Sequence, residues 1–287
     1  MNKSSSFSLS LLFTGIFVIT HISCTEVSPV IPEQEQIVVE AYLYADEKVD
    51  DIRLTSTVAL DADTINPDPI TGAQVRLWKN EKSYDLTEST AEDGFYYYPH
   101  DDLQIQNGDQ FALDIVYNDQ ILNARTTVPE PPANVSVDND TIEYGFPGFG
   151  GGWRRFGGSQ TAEDTVINIS TVRWENENDD LFYLVLKNVE EDPEPIESEF
   201  RFTFPRTFIS QPTRVDSFLI RSNMNTHYGK HKITLYKINQ EYADLYAERN
   251  QDSRDLNEPP TNIENGLGIF TAFNSDSLFI YVTDKTN

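Results

Sequence analysis

Apolar and polar residues alternate with a period of two through most of the chain, and that alternation is the signature of half-buried strands. The first such stretch, Ile37-Val38-Val39-Glu40-Ala41-Tyr42-Leu43-Tyr44, is β-branched and aromatic and ends in the acidic turn Ala45–Asp51. Ile52–Thr55, Ala73–Trp78, Ser83–Thr87, Phe95–Tyr98, Phe111–Tyr117 and Ile121–Val128 follow at about ten-residue spacing, a β-sandwich rhythm. Between them stand turn formers: Asn80-Glu81-Lys82, Asp93-Gly94, Asn107-Gly108-Asp109 and Asn118-Asp119-Gln120. The pattern predicts one β-sandwich domain over residues 37–129.

Pro129-Glu130-Pro131-Pro132 then sets a stiff boundary, since prolines cannot donate to a ladder. A second β-rich domain is predicted over 130–287, with strands near Asn134–Tyr144, Thr165–Trp174, Leu181–Val189, Phe200–Phe208, Val215–Arg221 and His231–Tyr236. One helix is expected at Ile238–Asn250, where Ile238, Tyr242, Leu245 and Tyr246 recur at i, i+4, i+7 and i+8. Phe270–Phe273 and Ser277–Val282 are expected to form a terminal hairpin around Asn274-Ser275-Asp276. The fold class is therefore mainly β: two β-sandwich-like domains with one short helix near the C-terminus.

The beginning of the chain has a different pattern. Lys3 and a serine run precede an apolar stretch from Phe7 to Ile22, then Ser23 and the only cysteine, Cys24. The apolar core has the length of a signal sequence and falls short of the ~20 residues that a membrane-spanning helix needs. A small residue before a cysteine is the cut site of lipoprotein signal peptidase, which leaves that cysteine acylated. Residues 1–23 are accordingly expected to be a lipoprotein signal, Cys24 the lipidated residue, and 24–36 a polar, proline-containing tether. His21 stands three before the cut, where leucine is usual. An ordinary signal cut nearby and an uncleaved anchor are the alternatives. Among the residues after Cys24 only Glu26 is a close acidic residue, a weak version of the acidic surface-export signal of some bacterial lipoproteins.

Composition narrows the chemistry. A hydrophobic content of 38% with 12% aromatics suffices for a packed core and excludes wholesale disorder. The net charge of −26 repels phosphate backbones, so nucleic acid is an unsuitable partner. It also argues against a basic patch for anionic headgroups, which leaves membrane attachment to the lipid. With Cys24 acylated there is no thiol for catalysis, zinc or a disulfide, a usage that suits a bacterial envelope protein.

Candidate catalytic groups are few. His227 and His231 are spaced i, i+4, but Tyr228-Gly229 between them suggests a turn, where solvated histidines are the expectation; His100 stands alone. Acidic groups recur at Asp46/Glu47/Asp50/Asp51, Asp61/Asp63/Asp68, Asp138/Asp140/Glu143 and Glu175/Glu177/Asp179/Asp180, without the glycine-containing spacing of a calcium loop. No GxSxG elbow is present. No catalytic residue, metal set or cofactor is assigned. The most unusual segment is Gly145–Gly158, where Phe149, Trp153, Arg154, Arg155 and Phe156 lie on a glycine-rich backbone. These are side chains that dominate partner interfaces, so they are the candidate partner contact, against the plainer reading of an insertion tucked on the second sandwich.

Several phrases together resemble a known family. The opening strand Ile37–Leu43, the segment PITGAQVRLW with its later DGFYYYP, the VPEPP junction and above all TNIENGLGIFTAF resemble the Bacteroidota lipoprotein family defined by domain of unknown function 4249. The N-terminal phrases also resemble transthyretin-like and carboxypeptidase-regulatory-like sandwiches, so a transthyretin- or Ig-like N-terminal domain is implied. The family resemblance implies an outer-membrane lipoprotein, encoded beside TonB-dependent receptors, with no catalytic residues to carry over. A non-enzymatic accessory of such a receptor is the leading expectation; an envelope glycan-active hydrolase and an adhesin-like module are the alternatives. Gly266 and Gly268 around Leu267 suit a bulge or close backbone approach, after which Ile269-Phe270 enters a buried strand.

Overall fold

A computed structural model describes residues 36–58, 66–144, 169–196, 206–221, 224, 226–248 and 260–284. The described residues belong to one compact unit. The first half contributes β1 (Ile37–Tyr44), β2 (Asp51–Ser56), β3 (Gln74–Lys79), β4 (Lys82–Asp85), β5 (Thr87–Glu88), β6 (Phe95–Tyr97), β7 (Gln110–Tyr117) and β8 (Gln120–Thr127). Beyond the prolines come β9 (Ala133–Val137), β10 (Thr141–Tyr144), β11 (Ile169–Glu175), β12 (Leu181–Asn188), β13 (Thr207–Ile209), β14 (Ser217–Arg221) and β15 (Gly229–Ile238). The helix α1 (Gln240–Glu248) and the long strand β16 (Leu267–Asp284) complete the series.

Three sheets result. A nine-stranded sheet runs β13-β12-β15-β16-β1-β2-β6-β5, with β10 also on β16. A four-stranded sheet runs β4-β3-β7-β8, and a three-stranded one β14-β11-β9. The period-two pattern explains the layering. In β1, Ile37, Val39, Ala41 and Leu43 are buried while the residues between them are partly exposed. They pack with Val75 and Leu77 of β3, Phe111, Leu113 and Ile115 of β7, and Leu122 of β8 in a first core. A second core joins Val172 and Trp174 of β11 to Phe182, Leu184, Leu186, Ile233, Leu235 and Ile280.

The first core draws mostly on residues before the proline junction and the second on residues after it, and the ladder does not stop there. β16 pairs in parallel with β1 (Val38 opposite Leu267, Tyr44 opposite Phe273) and antiparallel with β15 (Ile238 opposite Phe273, Gly229 opposite Val282). Its even-numbered residues Phe270 and Ala272 enter the first core, and Ile280 and Val282 enter the second or flank it. Ile263, Phe270 and Ala272 thus belong with the N-terminal core although they lie near the far end of the chain.

Two local expectations are corrected. The terminal hairpin does not exist: Asn274, Ser275 and Asp276 continue one strand, opposite Lys237, Tyr236 and Leu235 of β15. A full ladder on one edge outweighs the turn preference of those three residues. The helix begins at Gln240, because Ile238 is the last residue of β15. Tyr242 and Ala243 of α1 pack on the odd-numbered face of β16.

That packing makes an aromatic box. Phe273, 1% exposed, touches the rings of Tyr42, Tyr44, Tyr183, Tyr236 and Tyr242 with centroids 5.0 to 6.2 Å away. Burial raises the phenols of Tyr44 and Tyr183 well above their ordinary value, so they remain neutral hydrogen-bonding groups. The start of α1 is tied down by polar bonds: Asn239 donates to Thr126 Oγ1 and the Thr127 carbonyl, and Thr271 Oγ1 donates to Glu241.

Candidate functional site

The expected site residues fall outside the described residues: Cys24, Phe149, Trp153, Arg154, Arg155 and Phe156 all do. Asp61 and Asp63 do so as well. Among the described residues no group of three or more His, Cys, Asp or Glu is placed to hold a metal ion. No helix among them is long and apolar enough to cross a membrane, which says nothing of strands.

The expectation of solvated histidines in a turn fails for His231. It lies in β15, is 2% exposed, and its neutral ring is fixed by two contacts. Nδ1 is 3.1 Å from the Gly229 carbonyl, which can only accept, so Nδ1 carries the hydrogen. Nε2 then accepts from Asn188 Nδ2 at 3.4 Å. Burial depresses its basicity. His227 is close enough to add to that depression, and its Nδ1 lies 2.7 Å from Thr226 Oγ1. His100 packs edge-on against Tyr98.

Two surfaces stand out on the sheets. The first is the outer face of β4-β3-β7-β8. Alternation turns Gln74, Arg76 and Trp78 of β3 away from the core while Val75 and Leu77 fill it. On β7 the outward residues are Gln110, Ala112, Asp114 and Val116, and on β8 they are Ile121, Asn123 and Arg125. The registers fix the rows. Trp78 lies opposite Ala112, which lies opposite Arg125; Arg76 lies opposite Asp114, which lies opposite Asn123.

The Trp78 indole N–H donates to Asp114 Oδ2 at 2.7 Å, and Arg76 pairs with Asp85 at 2.6 Å while its guanidinium lies 5.8 Å from the Trp78 ring centroid. Because Ala112 is small, the face dips between Trp78 and Arg125. The hollow, about 380 Å³, is lined by Trp78, Asn80, Gln110, Ala112, Asp114 and Arg125. A second hollow of about 450 Å³ lies over Gln74, Arg76, Asn123, Val116 and Ile121. Val116 and Ile121 are 39% and 55% exposed. The alternation of Ala73–Trp78 and Phe111–Tyr117 could have indicated this face, but sequence alone did not bring Trp78 and Arg125 into one row.

The second surface is the odd-numbered end of β16 with its neighbours. Phe279 and Tyr281 are 44% and 46% exposed. Lys232 lies opposite Phe279 on one side and Lys187 on the other, and Lys230 lies opposite Tyr281. Lys230 Nζ sits 4.0 Å above the Phe279 ring. Lys187 and Lys232 have no ion-pair partner among the described residues. Three lysines on adjacent strands repel one another mildly, and they do so in a chain whose net charge is −26. The three lysines meet through strand register, which composition does not convey.

The described acidic groups do other work. Asp102 is pulled down to about 2 by its bonds with Lys82 and Tyr98. Asp51 is raised by partial burial and by Asp50 and Glu40.

Comparison with curated proteins finds no match. Among solved structures the chain is similar to the crystal structure of chicken CNTN1 FN1-FN3 domains, at 11% identity and a TM-score of 0.27. The likeness covers 85% of this chain and 66% of that one. The sequence signature described as Domain of unknown function (DUF4249) matches residues 24–278. The phrase that most suggested this resemblance, Asn262 to Phe270, occupies a structural position. Asn262 brackets Phe270 by donating to its carbonyl at 2.7 Å and accepting from its N–H at 2.9 Å. With that match spanning most of its length, the chain belongs to the DUF4249 family.

Proposed function

We propose that the protein is an outer-membrane lipoprotein, anchored through Cys24, that acts as a non-enzymatic accessory of a TonB-dependent receptor. The observation that carries the reading is the Lys187–Lys230–Lys232 cluster beside exposed Phe279 and Tyr281. Aromatic rings flanked by cations on a rigid ladder lose little conformational entropy when covered, and such side chains concentrate binding energy. The complementary partner surface is apolar at its centre and acidic at its rim. Charge explains why the contact would be selective. A chain of net charge −26 is repelled by most acidic surfaces, so the approach of an acidic rim is favoured through this patch. The Gly145–Gly158 segment, with Trp153, Arg154 and Phe156, is a second contact proposed from sequence.

The test is co-purification of the lipidated full chain from detergent-extracted membranes. Replacement of Lys187 and Lys232 by glutamate together should reduce receptor recovery at least tenfold, with the fold intact by circular dichroism. Unchanged recovery would remove this surface from the function. Replacement of Trp153, Arg154 and Phe156 by alanine tests the second contact in the same assay. Turnover of an envelope glycan by the purified protein would replace the accessory reading with the hydrolase one.

A further inference from the structure

We propose that the hollow between Trp78 and Arg125 on the outer face of β4-β3-β7-β8 binds a carboxylate-bearing saccharide. The argument starts from the row Trp78–Ala112–Arg125, fixed by strand register. Two ladder steps place the Cα atoms of Trp78 and Arg125 roughly 10 Å apart. The methyl group of Ala112 is the floor between two tall side chains. A slot of that width accepts one pyranose ring with its C–H face on the indole and its edge toward the guanidinium.

The polar groups are arranged for such a ring. The Trp78 ring is already oriented, because its N–H is held by Asp114 and its strand neighbour Arg76 is held by Asp85. A preset aromatic platform loses little freedom on binding, unlike a swinging side chain. Gln110 and Asn80 line the hollow beside the platform and supply amide donors and acceptors for ring hydroxyls. Asp85 balances Arg76, and Asp114 keeps its negative charge, because the indole N–H that it accepts from is neutral. Arg125 is the cation lining the hollow, and its side chain has no ion-pair or hydrogen-bond partner among the described residues. A guanidinium offers paired donors in the geometry of a carboxylate, which selects an acidic sugar over a neutral one.

This site lies on a different sheet from the Lys187–Lys232 patch, so the two readings stand or fail separately. The experiment is isothermal titration calorimetry of the full chain with tri-galacturonate and with the matched neutral galactotriose. The acidic trimer should bind saturably and at least tenfold more tightly than the neutral one. Arg125→Gln should bring the acidic trimer down to the neutral level, and Arg125→Lys should restore part of the preference. Ala112→Leu, which fills the hollow from its outer side without entering the core, should abolish binding of both. Trp78→Ala should do the same in a chain whose thermal unfolding stays cooperative. Absence of saturable binding by either trimer overturns the proposal, as does an unchanged acidic preference in Arg125→Gln or unchanged affinity in Ala112→Leu. Loss of receptor recovery in the Lys187/Lys232 variant with saccharide binding intact leaves this site standing.

Discussion

Gly268 lies against the backbone of Val39 so closely that a Cβ on it would stand 2.0 Å from the Val39 carbonyl oxygen. Its φ of +100° is also one that side-chain-bearing residues rarely adopt. The two residues are opposite one another in the parallel β1–β16 ladder, in the ladder that carries the first core to the last strand.

Gly268→Ala should therefore destabilise the fold by more than about 3 kcal/mol, since positive-φ strain alone costs about 1–3 kcal/mol and a backbone clash adds to it. Chemical denaturation read by tryptophan fluorescence checks this. A loss below 1 kcal/mol would show that the strands separate easily.

Asn262→Ala should cost about 2–3 kcal/mol, because both backbone groups of Phe270 lose their partner next to a fully buried ring. Asn262→Asp should recover only part of it. The carboxylate still accepts from the Phe270 N–H but meets the Phe270 carbonyl as a second acceptor. Paired denaturation curves of the two variants distinguish the bonds.

Phe273→Ala should cost about 3–5 kcal/mol, as expected for removal of a large buried ring, and should alter the tyrosine signal in near-ultraviolet circular dichroism. Five tyrosine rings share Phe273 as their common neighbour. An unchanged near-ultraviolet spectrum would mean that the box is held without it.

His231 makes stability sensitive to mild acid. Its folded basicity is depressed by burial, and a proton on Nε2 would oppose the Asn188 amide donor. The unfolded imidazole takes up a proton near its ordinary value of about 6.5. Below that pH the unfolded state binds more protons than the folded one, so stability falls as pH falls through this window and is complete above it. Melting temperatures between pH 7.5 and 5 should drop more steeply for the native chain than for His231→Gln.

Much of the architecture is legible from alternation. The strands Ile37–Tyr44, Phe111–Tyr117 and Ile121–Val128 coincide with β1, β7 and β8 within a residue or so, because one side of each is a core face. What local pattern cannot convey is pairing between distant segments. Asn274-Ser275-Asp276 has turn chemistry, yet β15 holds those residues straight, and Asn274 donates to the Pro129 carbonyl across the junction. His231 is read as solvated when only its neighbours Tyr228 and Gly229 are weighed; its burial comes from β12 and β16. Trp78 and Arg125 meet for the same reason, through β7. The Gly145–Gly158 contact residues lie outside the described residues.

The parallel pairing of β1 with β16 governs the order in which this chain can fold. Val38 meets Leu267, so among the described strands the first waits for the last. Closing so long a loop is slow, and until it closes the N-terminal core lacks Phe270 and Ala272 and leaves one edge of β1 unpaired. An open edge is a template for joining another chain. A protein built this way is best completed once the whole chain has been released, and a nascent or truncated chain would need β1 shielded until then.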